Sequence, residues 1–289
     1  MNLKNVLLLY KRSAYKIYFL DEKSSLKSKK TAFLREERKR FEEAHVEHYK
    51  TLKNIAKILL TYGIRFTESY RGRSVNYSKY DFIITVGGDG TFLEAARHSK
   101  HQIIMGVNSA PEHSVGRFCI ANNHNFEAIL KNLILKNFQV GYLQRLRLNF
   151  GGKVEPIEAL NDILVCHSNP AVLCRYYLTI NGKREEQRSS GIWISTPSGS
   201  SGAIHSAGGK VLNQYEKKMQ YRPRELYQGH HEYYKLRGGI LGPKDSLSVT
   251  SLMRRGMIYV DGAHHKFPFE YATPVQISFS PHPIKTVRL

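Results

Sequence analysis

Hydrophobic positions recur along the chain with two different periods. Residues 5–10, 82–86 and 103–107 are short apolar runs rich in Val, Ile and Leu, bounded by turn-forming residues, and they predict buried strands; Ile64 and Phe66 start another. Between the first two runs, Phe41, His45, Tyr49, Leu52, Ala56 and Leu59 recur at helical spacing. They predict a long amphipathic helix that stops at Gly63. Residues 91–98 and 126–135 predict two further helices. This alternation over residues 1–138 is that of an α/β domain with a mainly parallel sheet. The texture changes after Asn137. Residues 139–148, 158–165, 171–180, 191–195, 246–249, 257–260 and 275–280 are short alternating or β-branched runs, separated by turns such as Asn181-Gly182 and Asp261-Gly262. They predict an all-β second domain over 139–289, with its last strand a candidate to return to the first domain. Residues 24–30, rich in Ser and Lys, predict a mobile loop.

The stretch that suggests chemistry is YDFIITVGGDGTFLEAA, residues 80–96. A buried strand runs into Gly87, Gly88 and Gly90, and a helix is expected to start near Thr91. Such a junction directs free backbone N–H groups and the positive end of a helix at one spot, which suits a phosphate. Glycines let the backbone come close. Asp89 is the odd residue, because a carboxylate repels a phosphate. It makes sense if it takes a proton from an attacking hydroxyl or holds Mg²⁺ against the phosphates. Taken alone, GGDG is also read as a tight turn with an Asp cap.

Two further stretches stand out. Asn161-Asp162, in ALNDILV, pairs donors and acceptors that suit ribose hydroxyls or an adenine edge, although an isolated Asn-Asp pair is more often a turn. GIWISTPSGSSGAIHSAGG, residues 191–209, runs from a strand into small and hydroxylated residues. Ser198, Ser200, Ser201 and Ser206 offer hydroxyls and the glycines keep the backbone accessible, which suits close packing against a flat polar ligand, and the apolar residues on both sides argue against a Ser/Gly linker.

Composition narrows the class. The 289 residues carry 44 Lys and Arg against 24 Asp and Glu, a net charge of +20. Such a surface attracts polyanions, but no nucleic-acid-binding motif accompanies the dispersed basic residues, and the cluster at 23–40 reads as a solvated helix. No apolar run is long enough to span a membrane. The first residues read as a strand rather than a signal peptide. Cys119, Cys166 and Cys174 are odd in number and lack metal-binding spacing, which suits thiols in a reducing cytoplasm.

GGDGT after a strand resembles a signature shared by NAD kinases, diacylglycerol and sphingosine kinases and, more distantly, phosphofructokinases. With ALNDILV and TPSGSSGAIHSAGG following in that order, the chain from about residue 6 onward resembles the NAD kinases. GVNSAPEHSVGRFC (106–119) and RSSGI (188–192) resemble the subgroup typified by animal mitochondrial enzymes. The resemblance implies an NAD kinase/diacylglycerol kinase-like fold with a site between the two domains. It implies ATP as donor, Mg²⁺ as cofactor, NAD as acceptor at the 2′-hydroxyl of its adenosine ribose, and a homodimer or homotetramer. It gives Asp89 the catalytic role, with metal binding open to it. Gly87, Gly88, Gly90 and Thr91 fall to the phosphates. Asn161, Asp162, Thr196, Gly199, Ser200, Ser201, Ser206 and Asp261 fall to NAD. Asp261 is equally well read as a β-turn residue. Two positions depart from the family pattern: Ser190 stands where many relatives have an aspartate, and Ala203 where they have a tyrosine. A Tyr-rich stretch, 213–237, is read as a site cover or a subunit contact. The rival readings are a lipid kinase and a non-catalytic nucleotide-binding protein.

Overall fold

The computed structural model describes residues 3–21, 32–151, 155–229, 233–263 and 265–289. The expected mobile loop at 24–30, His264 and much of the basic cluster at 23–40 lie outside them. The chain divides into two compact units, Met1–Gly141 with Ile284–Leu289, and Tyr142–Pro283.

The first unit contains β1 (Val6–Tyr10), α1 (Ala32–Thr61), β2 (Phe66–Tyr70), β3 (Phe82–Gly87), α2 (Asp89–His98), β4 (Ile103–Asn108), β5 (Cys119–Asn122), α3 (Phe126–Ile134) and β6 (Gln139–Leu143). The sheet order is β2-β1-β3-β4, and β1 pairs with β2 and β3, and β3 with β4, in parallel. Val6, Leu8, Phe82, Ile84, Val86, Met105 and Val107 join Leu52, Ile55 and Leu59 of α1 and Ile129, Leu130 and Leu133 of α3 in one buried core. These strand residues alternate with Leu7, Leu9, Ile83 and Ile104, which are also fully buried; a sheet covered on both faces reads as a continuous apolar run. The helix α1 ends as its sequence predicts: Gly63 takes a positive φ of 67°, and Ile64 N–H returns to the Leu59 carbonyl.

The second unit carries β7 (Leu146–Asn149), β8 (Ile157–Ala159), β9 (Asp162–His167), β10 (Cys174–Ile180), β11 (Lys183–Ser189), β12 (Ile192–Ser195), the one-turn helix α4 (Ala203–Ser206), β13 (Met219–Pro223), β14 (Gly239–Leu241), β15 (Leu247–Ser251), β16 (Gly256–Val260), β17 (His265–Pro268) and β18 (Pro274–Phe279). A final strand, β19 (Ile284–Arg288), pairs in parallel with β4. Two six-stranded sheets, β11-β10-β15-β18-β7-β8 and β14-β13-β12-β9-β16-β17, bury a common apolar core that includes Leu148, Tyr176 and Val249 from one and Ile163, Ile194 and Ile258 from the other. The helix α4 is a local exception to the all-β expectation. Asn181 and Gly182 both take positive φ (49° and 78°), as a two-residue hairpin turn requires. The run at 158–165 is broken at Leu160-Asn161, and that break matters for the site.

Candidate active site

In the first unit β3 continues through Gly87, Gly88 caps the helix, and α2 starts at Asp89. The helix therefore begins two residues before the expected Thr91. A carboxylate in the first turn suits the positive helix end, and Thr91 N–H closes the turn on the Gly88 carbonyl at 2.9 Å. The three glycines serve three purposes. A Cβ on Gly87 would collide with the Thr91 hydroxyl, so Gly87 makes room for a threonine that is itself buried. A Cβ on Gly90 would lie 2.7 Å from Nη1 of Arg71, whose side chain reaches over the helix start. Gly88 is the open one: its nearest neighbour, the Ser114 hydroxyl, is 3.4 Å from where a Cβ would stand.

Asp89 is half-buried, and its Oδ1 accepts a hydrogen bond from Phe118 N–H at 2.8 Å. The segment that delivers this amide folds around Asn108, at the end of β4. The Asn108 side chain donates to the Ser114 carbonyl (2.9 Å) and accepts from the Ser114 hydroxyl (2.9 Å) and Ala110 N–H (3.2 Å). Gly106 leaves space for the Phe118 backbone, which a Cβ there would strike. Phe118 stacks on Phe92 of α2, with ring centroids 4.9 Å apart and planes 8° off parallel. Burial and the Asp89 charge push the adjacent Cys119 thiol up to about 12, so it stays neutral.

The strand order places a topological switch between β1 and β3, because β1 leads through α1 to one side and β3 leads through α2 to the other. Ligands of open α/β sheets bind outside the carboxyl ends of the strands at such a point. Lys11 follows β1 there: its N–H donates to the Val86 carbonyl (3.2 Å), and its side-chain Cγ is 3.5 Å from the Cβ position of Gly87. Fully buried His48 of α1 bonds the Lys11 carbonyl through Nε2 (2.9 Å) and the Ser109 hydroxyl through Nδ1 (2.8 Å). Burial, with Lys11 nearby, pushes this imidazole down to about 4. Reading the sequence missed Lys11, His48, Asn108 and Phe118; the one available signal, for Lys11 and Asn108 alone, was a polar residue directly after an apolar run.

In the second unit the strand register brings three distant stretches to one edge. Asp162 lies opposite Ser195 in the β9–β12 pair, and Ile163 opposite Val260 in the β9–β16 pair. The carboxylate of Asp261 accepts from three successive N–H groups, Leu160 (2.9 Å), Asn161 (2.6 Å) and Asp162 (3.2 Å). The Asn161 carbonyl accepts from Thr196 N–H (3.1 Å) and the Ser195 hydroxyl (3.2 Å), and the Thr196 hydroxyl donates to the Leu160 carbonyl at 2.6 Å. The Ser200 hydroxyl donates to the Pro197 carbonyl (2.7 Å) and accepts from Leu212 N–H (2.8 Å). Thr196 and Ser200 are fully buried, while Ser201 and Ser206 are exposed. The Asp162 side chain accepts from the Asn161 amide at 2.9 Å. Burial, and then the charge of Asp261, push the Asp162 carboxyl up to about 7. Asp261 itself has a φ of +50°. Its carboxylate shapes the Asn161-Asp162 turn through the backbone. In the Tyr-rich stretch, the described Tyr221 belongs to β13 and the core, and Tyr233 is exposed.

Among the described residues no group of three or more His, Cys, Asp or Glu side chains is placed to hold a metal ion. One half-buried carboxylate fits the way Mg²⁺ is usually held, by one or two carboxylates together with substrate phosphates.

The profile of the ATP-NAD kinase N-terminal domain matches residues 3–136, which include Lys11, the glycine turn and Phe118. A probable NADH kinase from Oryza sativa subsp. japonica is 32% identical over 220 residues, 68% of each chain. The chain belongs to the NAD kinase family. An NAD kinase from Methanopyrus kandleri is 34% identical over 135 residues, 46% of this chain and about half (48%) of its own length. The crystal structure of an NAD kinase from Archaeoglobus fulgidus in complex with ATP shares the fold, with a TM-score of 0.67 at 22% identity over 98% of this chain and 92% of that one. These family relatives are plant and archaeal.

Proposed function

We propose that the chain is an ATP-dependent NAD kinase. It transfers the γ-phosphate of ATP to the 2′-hydroxyl of the adenosine ribose of NAD, giving NADP and ADP. The observation that carries this reading is Asp89, held through one oxygen by the Phe118 amide directly after the open glycine Gly88. The bond from the 2′-oxygen to the γ-phosphorus forms as the bond from that phosphorus to the β–γ bridging oxygen breaks. Oδ2 of Asp89 orients the hydroxyl and takes its proton late in the transfer, since an aspartate is a weak base. The N-terminal N–H groups of α2 face the phosphates past Gly88. Alternatively to that proton transfer, Asp89 would hold Mg²⁺ together with the ATP phosphates, and the ion would supply charge neutralisation on the phosphoryl group.

In the second unit, Asn161 and Asp162 bind NAD hydroxyl and amide groups, and the exposed Ser201 and Ser206 hydroxyls are available to the nucleotide. Thr196, Gly199, Ser200 and Asp261 hold this surface in shape. The segments at 106–119 and 188–192 support placement with the mitochondrial-type subgroup. The three free thiols support a reducing compartment such as the cytoplasm, and the resemblance supports a homodimer or homotetramer. No helix among the described residues is long and apolar enough to cross a membrane.

The test is to incubate the folded protein with ATP and Mg²⁺ and, separately, NAD, NADH and diacylglycerol. NADH belongs in the panel because the rice relative bears that name. Phosphorylation of a nicotinamide dinucleotide supports the reading. Phosphorylation of diacylglycerol alone, or dinucleotide binding without ATP turnover, overturns it.

A further inference from the structure

The geometry points to Lys11 as a second phosphate-binding group, one that meets the polyphosphate of the donor at the carboxyl ends of β1 and β3. This rests on the kinase reading and adds a residue to it. The backbone of Lys11 is fixed from two sides: its N–H bonds the Val86 carbonyl, and its carbonyl is bonded by buried His48. Its stem passes Gly87, so the ammonium is carried by the same two strands that present the glycine turn. Lys11 also lines a cavity of about 410 Å³ with Ser13, Arg40 and His113. Two carboxylates line it too. Glu37 is paired with Arg40 at 3.1 Å, and Glu112 is exposed.

The ammonium is poorly compensated. Among the described residues no carboxylate lies within ion-pairing distance of it. Desolvation holds its pKa below the usual lysine range, offset by Cys119 and Glu47. Cys119 is neutral at pH 7, so it provides no thiolate partner. A partly buried cation without a counter-charge costs stability, and such a cation, on a stem that passes Gly87 and lines a cavity, is suited to an anionic ligand. An oligophosphate supplies that charge.

Three measurements test this. In the parent protein, acylation of Lys11 by acetic anhydride, read by mass spectrometry, should slow by roughly 10-fold or more when ATP or inorganic tripolyphosphate is present, as expected for a charge-assisted contact. This needs no variant, and tripolyphosphate needs no turnover, so the inference can stand or fall apart from the kinase reading. Lys11→Met should raise the KM for ATP, and weaken competitive inhibition by tripolyphosphate, by roughly 10-fold or more, with the KM for NAD little changed. Lys11→Arg should recover much of the loss. Lys11→Met should melt at or above the parent temperature, because it removes a desolvated charge and leaves the backbone bond to His48 in place. A purely structural lysine would lower the melting temperature and leave the two KM values in their parent ratio. Unprotected Lys11, or an unchanged KM for ATP in Lys11→Met, overturns the inference.

Discussion

Gly199 and Asn161 meet backbone against backbone: a Cβ on Gly199 would strike the Asn161 carbonyl oxygen. The Thr-Pro-Ser-Gly-Ser-Ser loop and the Asn-Asp turn are therefore one packed object, tied also by the Thr196 hydroxyl and amide. Gly199→Ala should push them apart. Backbone cannot yield as a flexible side chain can, so the expected cost is about 1–3 kcal/mol of stability. NAD affinity should fall with it. Thermal melting and a calorimetric NAD titration read the two effects, and a variant that melts and binds as the parent does would show that the loop and the turn are independent.

Asp89→Asn keeps the size of the side chain and an oxygen for the Phe118 amide, and it removes the charge. Turnover should fall by roughly 10²- to 10⁴-fold with a melting temperature near that of the parent. Steady-state kinetics on the purified variant decides; near-parent turnover would remove Asp89 from the mechanism.

Asp162 makes stability depend on pH in a definite direction. Its carboxyl is raised from 3.8 to about 7 in the folded chain. Between these values the unfolded chain has released a proton that the folded chain still holds. Stability therefore falls as pH rises from about 4 to about 7 and levels off above that, by at most ~4 kcal/mol from this group. Asp162→Asn should flatten this part of the profile and gain stability relative to the parent at pH 8. Denaturant titrations at pH 5 and pH 8 check it; an equal effect at both values would mean that the carboxyl is not held protonated.

Much of the architecture is legible in the sequence because burial writes it there. The runs around Val6, Phe82 and Ile103 are apolar at every position, since both faces of their sheet are covered. The stripe from Phe41 to Leu59 marks one helix face. The strands that escape are those without such a pattern. The edge strand β11 is KREEQRS, with two of its seven residues fully buried, Gln187 and Ser189, and both are polar. The strand β13 hides in the Tyr-rich stretch whose sequence reads as a site cover or a subunit contact. The helix start is misplaced at Thr91 because Gly90 looks like a breaker, whereas one glycine is tolerated in a first turn whose other residues favour it. The candidate residues are legible as motifs, but their division of labour is not. Thr196 and Ser200 read as ligand hydroxyls, and the sequence does not show that both donate to backbone carbonyls, those of Leu160 and Pro197. His48 carries no local signal, and Lys11 only that of a polar residue after an apolar run; they matter through the parallel order of β1 and β3, which spacing along the chain does not record.

The most direct test of the kinase account is phosphorus NMR of the protein with NAD, ATP and Mg²⁺. The account predicts that a 2′-phosphomonoester resonance grows as the γ-phosphate resonance of ATP disappears, one for one, and that Asp89→Asn slows the transfer by roughly 10²- to 10⁴-fold at the same protein concentration. A folded parent protein that leaves both resonances unchanged, or that loses γ-phosphate to inorganic phosphate with no phosphomonoester formed, would contradict it.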